Sequence, residues 1–127
     1  MIYEYFNPNP ENRAVGDCVI RAICKAFNFD WYRAYCEICL QGFMMCDIPS
    51  SDNVWGAYLK QHGFKRHVLP DICPDCYTVS DFAENCPVGT YVVKTAGHVL
   101  TIVDGIIYDS WDSSNEVVIY YYQKVGE

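Results

Sequence analysis

The stretch GHVLTIVDGIIYDSWD, from Gly97 to Asp112, predicts a β-hairpin around which the rest of the fold can be arranged. Two runs rich in β-branched residues flank Asp104-Gly105, and a type I′ turn needs such a pair because both central residues adopt positive φ. A two-residue loop at that point pairs Val103 with Ile106. The register of the whole hairpin then follows from this one pair.

The predicted register brings a histidine and an aspartate to one face of the hairpin. Continued outward, it pairs Leu100 with Asp109, His98 with Trp111 and Gly97 with Asp112. Because faces alternate along a strand, His98 and Asp109 become diagonal neighbours on one face, and Asp112 projects from the other. Trp111 lies across from His98 and can shield it from water. We expect the carboxylate to orient the imidazole and to favour its protonated form.

Helical periodicity predicts three helices before the strands, and a short fourth one follows a proline-rich loop. They are DCVIRAICKAF with Asp17 as N-cap, DWYRAYCEICLQGF capped by Asp30, SSDNVWGAYLKQHG ending at Gly63, and TVSDFAENC capped by Thr78 or Ser80. The strands expected after Gly89 are TYVVKT, HVLTIV, IIYDSW and EVVIYYYQ.

The order of these elements predicts an α+β fold, with N-terminal helices packed on a C-terminal antiparallel β-sheet. Residues 1–15 are expected to form an extended lead-in, because Pro8 and Pro10 disfavour helix. The loop FKRHVLPDICPDCY has room for one short strand. A length of 127 residues suits a single domain over 1–127.

Charge and hydropathy limit the classes of partner and the cellular compartment that we expect for this protein. The net charge of -7 argues against a nucleic-acid surface, which needs clustered Lys and Arg. No apolar run approaches the roughly 20 residues that span a bilayer, and the start MIYEYFNPNPENR has no signal-peptide pattern. We therefore expect a cytoplasmic protein that binds neither nucleic acid nor membrane.

One of the eight cysteines has a favourable position for nucleophilic chemistry. Without an export signal, these cysteines are expected to be free thiols, metal ligands or catalytic groups rather than disulfides. Cys18 follows Gly16-Asp17 at the predicted start of a helix, where free N–H groups and the helix dipole stabilise a thiolate. Cysteines inside the helical segments are more often core filler.

Taken together, these motifs resemble the papain-like cysteine peptidase superfamily, and in particular its compact bacterial and phage proteins. The matching features are Gly-x-Cys opening a helix (GDCVIRAI), an amide side chain six residues earlier (Asn12), Gly-His starting a late strand (GHVLTIV), and acid-Ser-Trp after the next strand (DSW). The resemblance extends from about Asn9 to the last strand, although the middle of the chain matches only as helices.

The resemblance implies a fold, an activity and four site residues. Cys18 would be the nucleophile, His98 the general base, Asp109 the group that orients the imidazole, and Asn12 an oxyanion-hole donor. Asn12 is shorter than the usual glutamine, so Asn7 and Asn9 are alternative donors. The implied activity is hydrolysis of a peptide or isopeptide bond in a peptide or protein substrate, with no cofactor.

Two alternatives remain open at the level of sequence. The pairs CEIC (Cys36 and Cys39) and CPDC (Cys73 and Cys76) have the pattern of a structural zinc site, which would suit a non-catalytic binding module with the same fold. The other alternative is an acyltransferase or deamidase, because the same three residues can pass a thioester to another acceptor.

Overall fold

The computed structural model describes residues 2–69 and 77–126. Within those residues the chain forms an α+β structure of four helices and one six-stranded mixed sheet. The helices are α1 (Cys18–Phe27), α2 (Trp31–Met45), α3 (Asp52–Gln61) and α4 (Val79–Asn85). The strands are β1 (Tyr3–Tyr5), β2 (Phe64–Val68), β3 (Thr90–Thr95), β4 (His98–Val103), β5 (Ile106–Asp109) and β6 (Tyr120–Lys124).

The strand order is β1-β5-β4-β3-β6-β2, and the prediction of a wholly antiparallel sheet is wrong at one edge. There β1 pairs in parallel with β5, in the register Tyr3 to Ile107 and Tyr5 to Asp109. The predicted lead-in of residues 1–15 thus contributes a strand, because β5 leaves one edge free for a short segment to pair. At the opposite edge β2, the short strand allowed by the sequence, pairs antiparallel with β6.

The predicted helices are confirmed, with small changes at their ends. Helix α2 extends two residues beyond the predicted end, and α3 ends at Gln61 rather than Gly63. Thr78, not Ser80, caps α4, and Thr78 and Asp81 form a capping box. Across residues 2–69 and 77–126, no helix is both long enough and apolar enough to cross a bilayer.

The hairpin forms around the predicted turn, since Asp104 and Gly105 have φ of 49° and 78°. Val103 pairs with Ile106 as predicted. However, the ladder ends at the pair Thr101 to Tyr108, so the outer pairs predicted for the hairpin lie beyond it. Asp109 is the last residue of β5, and its Oδ1 accepts a hydrogen bond from the Ser110 N–H at 2.8 Å.

The sheet separates two hydrophobic clusters, one against α1–α3 and one against α4. Neighbouring residues of one strand alternate between the clusters, with Val92 and Val99 on the α1 side and Val93 and Leu100 on the α4 side. On the α1 side, the Thr101 hydroxyl also donates a hydrogen bond to the backbone carbonyl of Ala22 in α1 at 2.7 Å. This contact fixes α1 against β4, the strand that begins with His98.

Candidate active site

Cys18 is the first residue of α1 and is half-buried. Asp17 occupies the N-cap position as predicted, but its carboxylate makes no capping hydrogen bond. It accepts instead from Arg21 Nη1 at 2.7 Å and from Trp31 Nε1 at 2.9 Å. Because no side chain caps α1, its first-turn N–H groups and the positive end of its dipole lie beside the thiol.

The Cys18 thiol and the His98 side chain line the same cavity, and each changes the pKa of the other. Burial opposes ionisation of the thiol, whereas interactions with the side chain of His98 and the backbone of Val99 favour it. With the charges of His98 and Arg21 added, the pKa of Cys18 lies below its usual value. Burial disfavours the imidazolium too, yet Asp109 and Cys18 raise the pKa of His98 to about 9. Both shifts favour a thiolate–imidazolium pair over the neutral pair.

The predicted contact between His98 and Asp109 is confirmed. His98 Nε2 lies 2.6 Å from Asp109 Oδ2, and the two side chains are only 10% and 0% exposed. The ring of Trp111 lies 4.8 Å from that of His98, measured between centroids, and covers it on one side. Because Nε2 is bonded to Asp109, Nδ1 is the ring nitrogen that can face the Cys18 thiol.

Both oxygens of the buried Asp109 carboxylate accept further hydrogen bonds. Oδ2 accepts from Ser113 Oγ at 2.7 Å, and Oδ1 accepts from Arg21 Nε at 3.2 Å, with Arg21 Nη2 at 3.1 Å. Burial alone would raise the pKa of Asp109, but the hydrogen bonds from His98 and Ser113 and the charges of His98 and Arg21 keep that pKa below its usual value. The carboxylate is therefore ionised and held in one orientation.

Arg21 and Ser113 were not among the residues predicted for this site. Arg21 is 5% exposed and bonds both Asp17 and Asp109, so it joins the residue before Cys18 to the carboxylate bonded to His98. The signal for Arg21 was present in the sequence, because it interrupts the apolar run of α1 four residues after Asp17. Ser113 is a small polar residue in a loop and carries no such signal.

Cys18 and His98 line a cavity of about 620 Å³ between the helices and the sheet. One wall is the α2 helix with Trp31, Tyr35 and Ile38, and the other is the β3–β4 hairpin. The remaining lining residues lie at the start of α1, in the α2–α3 connection and at the start of α3. The paired thiol and imidazole therefore face a space that can admit part of a substrate.

The structure does not bring the predicted amide donors to this cavity. Asn12 is exposed, has a φ of 55°, and is not a lining residue of the cavity. Asn7 and Asn9 do not line it either, and their side chains hold the loop together. Asn7 Nδ2 donates to the carbonyl of Arg13 at 3.2 Å, and Asn9 Oδ1 accepts from the N–H of Glu11 at 2.9 Å.

Two of the remaining cysteines are poor nucleophiles. Burial, together with the charges of Asp17 and Asp30, raises the pKa of Cys24 to about 12. Burial also raises the pKa of Cys86. The site-specific activation of Cys18 therefore comes from its partners and not from a general property of the thiols in this chain.

The residues of the proposed zinc alternative are only partly described. Cys36 and Cys39 lie on α2, exposed and half-buried respectively, whereas Cys73 and Cys76 lie outside the described residues. Over residues 2–69 and 77–126, no group of three or more His, Cys, Asp or Glu could hold a metal ion. The zinc site stays a hypothesis.

No family model, curated protein or solved structure matches this chain.

Proposed function

We propose that this protein is a papain-like cysteine hydrolase that cleaves a peptide or isopeptide bond of a cytoplasmic peptide or protein. The observation that carries the proposal is the buried hydrogen bond between His98 and Asp109, with the Cys18 thiol interacting with His98 in the lining of the same cavity. The helices followed by a sheet, and the chain order of cysteine, histidine and aspartate, agree with the superfamily arrangement.

In the first half-reaction the Cys18 thiolate attacks the carbonyl carbon of the substrate and forms a carbon–sulfur bond. The carbonyl oxygen becomes an oxyanion beside the start of α1, where the Cys18 N–H can donate to it because no side chain caps this helix. The imidazolium of His98 then gives its proton to the leaving nitrogen. The carbon–nitrogen bond breaks, the amine departs, and a thioester on Cys18 remains.

In the second half-reaction the neutral His98 removes a proton from water, and the hydroxide attacks the thioester carbonyl. The carbon–sulfur bond breaks, which releases a carboxylic acid and regenerates the thiolate beside an imidazolium. Asp109 stays ionised throughout and keeps the ring oriented, since Arg21 and Ser113 hold its carboxylate in place.

Alkylation by iodoacetamide, followed residue by residue with mass spectrometry, tests the activation of Cys18 without knowledge of the substrate. At pH 6 we expect Cys18 to react faster than the exposed thiols Cys36 and Cys46, because only the thiolate is nucleophilic. In the variant His98→Ala the rate at Cys18 should fall about tenfold or more, since each unit of pKa increase lowers the thiolate fraction about tenfold.

The variant Cys36→Ala is the matched control and should leave the rate at Cys18 unchanged. Equal reactivity of Cys18 and Cys46 at pH 6 would contradict the proposed ion pair. Turnover is tested with a panel of N-blocked peptidyl aminomethylcoumarins, where Cys18→Ala should abolish release of the fluorophore. An activated Cys18 with no turnover of any amide would point to the binding-module alternative.

Addition of a primary amine separates the hydrolase from the acyltransferase alternative. A hydrolase should give the free carboxylic acid as the main product even when the amine is present, because water is the acceptor. A predominant amide product, identified by mass spectrometry, would favour the transferase.

A further inference from the structure

Helix α2 carries apolar side chains on two opposite sides. Ala34, Ile38 and Gly42 form the buried side against the rest of the protein. On the other side lies an outer stripe made of Tyr32, Cys36, Leu40, Phe43 and Met44. Their spacing of four, four, three and one residues keeps them on one side of a helix.

The outer stripe is strongly exposed. Phe43 is 81% exposed, Met44 70%, Tyr32 63% and Leu40 54%, and Cys36 is exposed as well. A surface helix normally places polar residues on the side that faces water, and a helix that is apolar all round is normally covered. The outer stripe therefore has the composition of a contact surface.

The charged side chains of α2 do not take part in the outer stripe. The two charged residues of α2 are engaged within the chain, because Arg33 lies 3.8 Å from the ring centroid of Phe29 and Glu37 accepts a hydrogen bond from the Tyr58 hydroxyl at 2.8 Å. The stripe itself contains no Asp, Glu, Lys, Arg or His. With a net charge of -7, the whole chain is also repelled by an anionic lipid surface.

We propose that the outer stripe of α2 binds a second copy of this chain. In a twofold-symmetric pair each copy presents the same surface, so an uncharged stripe can be its own partner. Two antiparallel α2 helices would bring Cys36 of one copy towards the partner's Leu40, since the stripe is centred between these two positions. Nothing in this arrangement requires a pocket or a charge on the other copy.

The exposed area is sufficient for a specific but weak dimer. The five side chains expose on the order of 100 Å² each, so a pair of copies would bury about 1,000 Å² in total. This value lies at the lower limit for specific interfaces, where weak and transient complexes are found. We therefore expect a dimer that forms and dissociates within an accessible concentration range.

The dimer would leave the candidate active site open. The buried side of α2 contributes Ile38 to the wall of the cavity, and the outer stripe lies on the opposite side of the helix. The partner's α2 helix would therefore lie on the side of α2 that faces away from the cavity, and it would not cover the cavity. The proposal does not depend on the chemistry of Cys18, and Cys18→Ala should dimerise as the wild type does.

Sedimentation equilibrium tests the proposal, with a reductant present so that exposed cysteines cannot cross-link copies. Between about 1 µM and about 200 µM the mass should rise from 14.6 kDa towards twice that value. Phe43→Glu should weaken the dimer at least about tenfold, because it places a charge in the contact of each copy. Val88→Glu is the matched control, since Val88 is 71% exposed and lies outside α2, and it should dimerise normally.

Salt provides a second readout. Raising NaCl from about 0.1 M to about 0.5 M should strengthen an apolar contact between two acidic chains, because salt screens their repulsion. If Phe43→Glu loses helical circular dichroism, Leu40→Gln replaces it. A wild type that stays at 14.6 kDa at about 200 µM overturns the proposal, and so does equal weakening by Phe43→Glu and Val88→Glu.

Discussion

Arg21 is the residue whose loss should damage the site most without touching Cys18 or His98. It is buried and is bonded to two buried carboxylates, Asp17 and Asp109. Arg21→Met should therefore lower the free energy of unfolding by about 3–5 kcal/mol, because both carboxylates lose a cationic partner. Arg21→Lys should lose less, since a single ammonium group can replace one contact but not the fork of three nitrogens.

Urea denaturation at pH 7 measures these losses. Lys25→Met is the control on the same helix, because Lys25 lies over the ring of Tyr108, 3.8 Å from its centroid, at a partly exposed position. It should cost no more than about 1 kcal/mol. Similar losses for Arg21→Met and Lys25→Met would show that the buried network does not stabilise the fold.

The paired titration of Cys18 and His98 predicts how stability depends on pH. The folded pKa of His98 is raised to about 9, so its contribution is complete below the unfolded value of 6.5 and is lost as pH rises through about 9. The folded pKa of Cys18 is lowered from 9.0, so its contribution is present above that unfolded value and is lost as pH falls through the folded pKa. Between pH 6.5 and 9 the two effects oppose each other.

Removal of the Cys18 thiol should leave only the contribution of His98 to the pH dependence of stability. In Cys18→Ala the free energy of unfolding should fall by about 1 kcal/mol more than in the wild type as pH rises from about 6.5 to about 8.5, because Asp109 still raises the pKa of His98. Urea denaturation across that range measures the slope, with the exposed Cys46→Ala as control. Parallel slopes for Cys18→Ala and the wild type would rule out the coupled pair.

At the scale of elements, two tight turns determine where β4 lies. Gly97 has a φ of 72° before β4, and Gly105 has a φ of 78° after it. A Cβ at Gly97 would meet no atom within 4 Å, whereas a Cβ at Gly105 would lie 3.3 Å from the carbonyl oxygen of Ala83. Gly97→Ala should therefore cost about 1 kcal/mol from backbone strain, and Gly105→Ala about 2 kcal/mol. Thermal unfolding of both variants tests this order, and an equal or larger loss for Gly97→Ala would contradict it.

The elements of the fold differ in how well the sequence alone predicts them. The β4–β5 turn follows from a local dipeptide, so the sequence was sufficient to place His98 near Asp109. Strand β1 could not be found in the same way, because its three residues pair only with a strand about 100 positions later. Arg21 interrupts the apolar run of α1, but its contact with Asp109 could not be predicted, because an arginine in a helix usually faces solvent and Asp109 lies 88 residues away.

At the scale of the whole molecule, the sheet places Cys18 with the α1–α3 cluster and leaves α4 on the other face. Phe82 of α4 packs against the rings of Tyr91 and Tyr121 in the cluster on the α4 side of the sheet. Phe82→Leu should thus lower the free energy of unfolding by about 1–2 kcal/mol. It should leave the pH dependence of Cys18 alkylation unchanged, because neither His98 nor Asp109 changes its partners.

Trp31→Phe, on the α1 side of the sheet, should instead change the pH dependence of Cys18 alkylation. This change removes the 2.9 Å hydrogen bond to Asp17, the residue before Cys18, so that the negative charge of Asp17 is less neutralised. Alkylation of Cys18 at pH 6 should slow about threefold, which corresponds to an increase of about half a unit in the pKa of the thiol. The rate of Cys18 alkylation by iodoacetamide, measured for both variants between about pH 5 and about pH 9, shows which side of the sheet affects the thiol. A shifted profile in Phe82→Leu, or an unshifted one in Trp31→Phe, would mean that the two clusters do not act independently on the site.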